Sequence, residues 1–161
     1  MRAMKSSPDL NQLLRLLLDS QIEFVVIGGF AGVLHGSTVV TRDLDICMVM
    51  ESDQLEKLRN VLTPFHPVHR RGPAELSFLE MPKIFENVKN LYLDTDLGTL
   101  DILGDVIGVG DFQKVAATAI QVNLFNMPVK IISIEELIRS KRELGRPKDL
   151  LVIAELEKIK K

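Results

Sequence analysis

Residues 24–48, FVVIGGFAGVLHGSTVVTRDLDICM, constrain the fold more than any other stretch of the chain. The apolar run from Phe24 to Ile27 meets Gly28-Gly29 and passes into a helical pattern carried by Phe30, Val33 and Leu34, which Gly36 can stop. Leu44, Ile46 and Met48 then alternate with Asp43, Asp45 and Cys47, the period of a strand with one apolar face. The unit reads as strand, glycine turn, short helix, polar connection over 37–42, strand. A glycine pair at such a turn lets backbone N–H groups close on a phosphate, and the helix N-terminus adds partial positive charge. Two aspartates one residue apart on a strand share a face, ~7 Å apart along it. Hard oxygen ligands of this kind suit a magnesium ion.

The flanking sequence reads as support for that unit. Ser7 and Pro8 have the chemistry of a helix start, and Leu10, Leu13, Leu14, Leu17 and Leu18 recur at helical spacing to about Asp19. A strand is predicted over 22–27. Ser52 and Asp53 can cap a helix to about Leu62 with Leu55, Leu58 and Leu62 on one face. Between Thr63 and Pro82 the prolines cluster, with a strand expected over 65–69 and a short helix after Pro73. Two strands follow over 90–93 and 99–103, joined by a turn through Asp94-Thr95-Asp96-Leu97-Gly98. Asp111 caps a short helix to Ala117, and 121–125 with 129–133 form a hairpin turning near Asn126-Met127. Ser133 opens a capping box for a helix to about Leu144, which Gly145 stops, and Pro147 starts a last helix. Helices interleaved with strands and followed by a hairpin predict an α/β or α+β domain with a mixed β-sheet flanked by helices. Gly28-Gly29 followed by Gly32 does not match the dinucleotide fingerprint.

At 161 residues with no internal repeat, the whole chain is expected to form a single domain. A formal net charge of −2 provides no global basic footprint for nucleic acid, although a local basic face is compatible with it. Cys47 is the only cysteine, so no intramolecular disulfide can form, and its place in an apolar strand predicts a buried, inert thiol. The N-terminus MRAMKSSPDLNQ lacks the apolar region of a signal peptide and no apolar run is long enough to span a membrane. A cytoplasmic, soluble protein without a membrane partner is predicted.

Three carboxylates stand out. Asp43 and Asp45 sit within an apolar strand shortly after a glycine turn, where unneutralised charge is expensive. Merely solvated aspartates on an outward strand face are the competing account. The second Asp-x-Asp, Asp94-Thr95-Asp96, lies beside Gly98 in a turn-like stretch and reads as loop polarity. Asp101, in Gly-Thr-Leu-Asp-Ile-Leu, is a lone aspartate among apolar residues, out of place in a strand unless it has a partner. If its strand neighbours that of Asp43, the three carboxylates can share metal. The histidines offer no metal spacing and no nucleophile triad motif occurs.

The pattern Ile27-Gly28-Gly29, thirteen intervening residues, Asp43-Leu44-Asp45, then an isolated Asp101, resembles the nucleotidyltransferase superfamily of the DNA polymerase β type. The tail, with Ser133 to Lys141 and Gly145 to Leu150, is similar to a small bacterial branch that includes lincosamide nucleotidyltransferases and AbiEii-like enzymes. The resemblance implies transfer of an NMP from an NTP to a hydroxyl or phosphate acceptor with release of pyrophosphate. It assigns the triphosphate to Gly28 and Gly29, two Mg²⁺ ions to Asp43, Asp45 and Asp101, and a phosphate contact to Lys141. Asp101 could also help deprotonate the acceptor. Arg42 is a further candidate for phosphate or acceptor, and Ser37 and Thr38 could bind phosphate or simply shape a turn. Arg146, Lys148 and Asp149 read as a helix-start ion pair. The acceptor, whether small molecule, RNA or protein, is not specified. Little chain follows Ile134, so a large acceptor or a second subunit, as in a homodimer, is expected to complete the site. The alternative is a catalytically inactive module of the same fold that binds a nucleotide or a partner protein, as in toxin–antitoxin systems.

Overall fold

The computed structural model describes residues 8–72 and 75–160. Helix α1, Leu10–Asp19, is capped by Asp9, whose carboxylate accepts from the Gln12 N–H at 3.0 Å. The cap predicted at Ser7 lies outside the described residues. Strand β1 is short, Val25–Ile27, and helix α2, Gly28–His35, follows it without an intervening residue and ends on Gly36 in the left-handed region. Strand β2, Asp43–Cys47, and helix α3, Ser52–Leu62, fall where the apolar periods place them. The α3 cap is Glu51 rather than Ser52 or Asp53, and no side chain caps it. Asp53 instead lies in the first turn, where its charge complements the helix dipole.

A single 3-10 turn, Thr63–Phe65, leads to β3, Val68–His69. The helix expected after Pro73 begins outside the described residues, and those from 75 to 89 form turns and bends. Strands β4, Asn90–Thr95, and β5, Gly98–Leu103, are longer than the sequence pattern indicated and leave only Asp96 and Leu97 as the loop. Asp94 is thus a strand residue that accepts from Thr99 Oγ1 at 2.9 Å. A small pair, β6 (Asp105–Val106) and β7 (Gly110–Asp111), precedes α4, Phe112–Ala117, which Asp111 caps through the Lys114 N–H. The hairpin β8 (Ile120–Leu124) and β9 (Met127–Ile131) turns on Phe125 and Asn126, both at positive φ. Helices α5, Ile134–Leu144, and α6, Pro147–Lys160, complete the chain. Ser133 accepts from the Glu136 N–H, and Gly145 ends α5 in the left-handed region.

Seven strands form one mixed sheet in the order β3-β4-β5-β2-β1-β9-β8. β2 runs antiparallel to β1 and parallel to β5, whereas β9 lies parallel to β1. One face is the core: Leu44 and Ile46 of β2 and Leu100 and Ile102 of β5 are fully buried, with Leu13, Leu14 and Leu17 of α1 and Leu55, Leu58 and Leu62 of α3 in the same cluster. Removing this much aliphatic surface from water is the main driving force of folding. Cys47 is buried on the opposite face, that of Asp43 and Asp45, and burial, with Asp105 and Asp111 adding repulsion, pushes its thiol up to about 12, so it is inert as expected. The opposite face carries the polar residues of the same strands, with α2, α5 and α6 packed together at its β1 end.

Candidate active site

Strand alternation and register assemble the site. Asp45 is paired with Ile27 on one side and with Asp101 on the other, and Asp101 with Tyr92, so one row of residues crosses four strands. Asp43 and Thr99 lie one step along, on the same face. The register thereby meets the condition posed by the sequence, that β5 must neighbour β2. Asp43, Asp45 and Asp101 line a single cleft with Gly28, Gly29 and Lys141.

Gly28 closes the cleft floor. Its φ is +66°, and a Cβ there would lie 2.2 Å from Asp45 Oδ2. Both the backbone conformation and the close approach exclude a larger residue. Gly28→Ala should therefore move Asp45 or the turn, at an expected loss of about 1–3 kcal/mol of stability. Urea unfolding checks this; unchanged stability would show that the turn and Asp45 tolerate the added methyl group. The N-terminus of α2 has no side-chain cap, so its first N–H groups are open to an anion.

Asp45 is the electrostatic centre. Oδ1 is buried and has no hydrogen-bond partner. Burial, then the charges of Asp101 and Asp43, push its pKa from 3.8 up to about 7, against the smaller attraction of Lys141 and Arg70. Burial also raises the Asp101 pKa, while the hydrogen bond and charge of Arg70 oppose the shift. An orphaned carboxylate oxygen beside a second carboxylate is chemistry that a divalent cation satisfies, so Asp43 and Asp45 fit a magnesium ion. Asp101 differs: its Oδ1 accepts from Arg70 Nη2. Among the described residues no three His, Cys, Asp or Glu side chains are already grouped as metal ligands. The expected three-carboxylate set shares one face, and a guanidinium occupies its third member.

Lys141 reaches the cleft from α5 and is almost wholly buried. Its Nζ lies 3.5 Å from Asp149 Oδ1. Burial lowers its pKa, with Asp149 pulling the other way. Asp149, at 0% exposure, also takes a two-pronged bond from Arg146, Nε to Oδ2 at 2.6 Å and Nη2 to Oδ1 at 3.1 Å. Burial pushes its carboxyl up, but the bonds from Arg146 and the charge of Lys141 more than offset this and hold it below the usual range. The Arg146–Asp149 pair at the start of α6 is present as read from the sequence. Its additional role in anchoring a cleft lysine was not legible there.

Other candidates lie elsewhere. Arg42 is exposed and faces a shallow hollow with Asn11 and Phe30; it precedes β2 and does not line the cleft. Ser37 and Thr38 are committed to Glu155 of α6, at 3.1 Å and 2.7 Å through their hydroxyls, rather than open to phosphate. His35 bonds the Ile132 carbonyl at 2.7 Å, a structural tie between α2 and the end of β9. His66 pairs with Asp96, and His69 bonds the Met81 carbonyl, so neither is part of a metal group.

No protein-family model matches the sequence, and no curated protein is significantly similar to it. Solved structures are informative where sequence is not. The chain superposes on the lincosamide antibiotic adenylyltransferase LnuA in its lincomycin-bound form with a TM-score of 0.63 at 18% identity, over 98% of this chain and 99% of that one. An antigenic nucleotidyltransferase-like protein from Paracoccidioides brasiliensis gives 0.60 at 20% identity, over 96% and 78% of the two chains. The chain has the nucleotidyltransferase fold. The antibiotic-resistance factor ANT(2'')-Ia agrees, with a TM-score of 0.59 at 12% identity over 94% of this chain and 89% of that one. At these identities the likeness carries the fold, and the chemistry has to be argued from the cleft itself. Among the described residues, no helix is long and apolar enough to cross a membrane.

Proposed function

We propose that the chain is a nucleotidyltransferase that moves an NMP from an NTP to an acceptor and releases pyrophosphate. The observation that carries this reading is Asp45, whose Oδ1 is buried without a partner while its Oδ2 lies against Gly28 of the uncapped turn, in one cleft with Asp43. Phosphate donors and cation ligands meet there, and a triphosphate with its counter-ion satisfies both. Gly28 and Gly29 hold the phosphates through backbone N–H groups, and Lys141, fixed by Asp149, supplies a positive charge at the same cleft. Asp43 and Asp45 would hold Mg²⁺, which when bound neutralises phosphate charge and orients the reacting oxygens. Transfer forms a bond from the acceptor oxygen to the α-phosphorus and breaks the bond from that phosphorus to the leaving pyrophosphate. Asp101, whose pKa burial raises, would take the acceptor proton once released from Arg70.

One observation favours the silent-module alternative: Arg70 occupies Asp101, the carboxylate that the transfer reaction needs free. The transferase reading expects nucleotide binding and turnover, whereas the silent module binds a nucleotide or a partner protein without turnover. Thermal melting with ATP, GTP, CTP and UTP, each with and without Mg²⁺, tests binding. A nucleotide at 100-fold over its Kd adds roughly 2.7 kcal/mol, an upward shift of about 5–10 °C for a chain of this size. The shift should need both nucleotide and Mg²⁺ and vanish in Asp43→Asn. Pyrophosphate release in the presence of candidate acceptors then separates enzyme from module. No shift with any nucleotide would sink the transferase reading and favour the module that binds a partner protein.

A further inference from the structure

The row Asp45–Asp101–Tyr92 does not stop at the cleft. Arg70 continues it, since its N–H donates to the Tyr92 carbonyl at 2.8 Å. Its guanidinium turns back to Asp101, and its Cζ lies 5.5 Å from the centre of the Tyr92 ring. The neighbouring Arg71 is exposed and stacks on the same ring, with Cζ 3.6 Å from its centre. Two guanidinium groups thus lie against one aromatic ring, on the β4 side of Asp101, with Ile27 and Gly28 on the other side of Asp45. Asp43 and Asp94 also bring negative charge toward Arg70, and Asp94 accepts from Thr99 Oγ1.

This placement divides the site. Backbone N–H groups and Lys141 lie on the Ile27 side of Asp45, and the arginines lie on the far side of Asp101. In-line displacement puts donor phosphates and acceptor on opposite sides of the reacting phosphorus. With the nucleotide on the glycine turn, the acceptor approaches past Arg70 and Arg71. A guanidinium carries five N–H donors in a fork matched to carboxylate or phosphate, and Arg70 spends only part of that set on Asp101. Stacking on Tyr92 fixes the orientation of the pair, so little side-chain freedom remains to be lost when an anion arrives.

We propose that Arg70 and Arg71 form an acceptor-side anion clamp, so that the acceptor carries a phosphate or carboxylate close to its reacting hydroxyl. This rests on the nucleotidyltransferase reading of the cleft. In the free protein Asp101 is the stand-in anion. An anionic acceptor takes its place on Arg70 and thereby frees Asp101 for the acceptor hydroxyl. Acceptor binding and release of the third carboxylate become one event. Polycationic acceptors are disfavoured by the same two charges.

The test is a nuclear magnetic resonance titration of the isotope-labelled full chain, saturated with Mg²⁺ and a non-hydrolysable ATP analogue. The Nε–Hε signal of Arg70, identified by its absence in Arg70→Lys, is followed as inorganic phosphate or acetate is added at constant ionic strength. The expected result is a saturable shift with phosphate, acetate or both, and a Kd raised roughly tenfold in Arg71→Ala. Which anion binds more tightly separates phosphate-bearing from carboxylate-bearing acceptors. An Arg70 signal unmoved by either anion, or moved equally by chloride, overturns the clamp. The amide signals of Gly28 and Gly29 report separately on the donor side. If they ignore Mg²⁺–nucleotide, the transferase reading falls by itself, while the same anion titration of the nucleotide-free chain still decides the clamp.

Discussion

Asp149→Ala is expected to destabilise the protein by about 3–5 kcal/mol, the usual effect of leaving one partner of a buried ion pair unmatched. Asp149 is wholly buried and is bound by Arg146 and Lys141, and Lys141 is itself almost wholly buried. Truncation removes the carboxylate paired with the Lys141 ammonium, whose pKa burial already lowers. Lys141 should then give up its proton more readily or draw water into the cleft, and either response costs stability. Urea unfolding at pH 7 measures this directly. Adding Lys141→Met to Asp149→Ala should restore much of the loss, because an apolar side chain of similar length leaves no stranded charge. A single-variant loss below about 1 kcal/mol would instead mark the pair as a surface-like contact. The anchor matters for function because an unanchored lysine loses its fixed position beside Asp45.

Asp45→Asn is expected to act in the opposite direction. In the folded state the Asp45 pKa stands at about 7 against an ordinary 3.8, so folding favours the protonated form. The associated stability is fully present below about pH 4 and is lost as pH rises through about 7. That span corresponds to at most roughly 4 kcal/mol, because each pKa unit is worth 1.36 kcal/mol. The metal-free wild-type protein should therefore weaken between pH 4 and pH 8, whereas Asp45→Asn, which cannot ionise there, should not. The two proteins should unfold alike near pH 4. At pH 8 in a chelator, the variant should be more stable by something on the order of 2 kcal/mol or more. The same variant should lose the response to Mg²⁺–nucleotide, since the oxygen that fits the cation is gone. An Asn variant less stable than wild type at pH 8 would mean that Asp45 is held by a structural partner, against its orphaned Oδ1. The gain in stability and the loss of binding have one cause, charge held ready for a cation.

Much of the fold was legible because local patterns encode local geometry. The alternation of Leu44 and Ile46 with Asp43 and Asp45 identified β2 and the face of each residue. The caps at Asp111 and Ser133, and the stops at Gly36 and Gly145, are properties of a few consecutive residues and stand where they were expected. The errors are also local. Ser52 is a good cap by composition, yet the backbone at Glu51 is the extended residue that opens α3. Asp94 was assigned to a turn because of its neighbours, but the ladder with β5 runs on to Thr95 and Gly98 and draws it into the sheet.

From sequence alone came the strand-turn-helix unit, the carboxylate types and the glycines, because spacing of one to four residues dictates which side chains share a face. Which strand lies beside β2 is decided by tertiary packing, and only that choice sets Asp101 next to Asp45 across 56 positions of chain. The partners of the charged residues are decided in the same way. Asp101 meets Arg70, Lys141 meets Asp149, and Glu155 takes Ser37 and Thr38. A charged side chain has a fixed chemistry but no fixed partner until the sheet order and the helix packing bring one within reach.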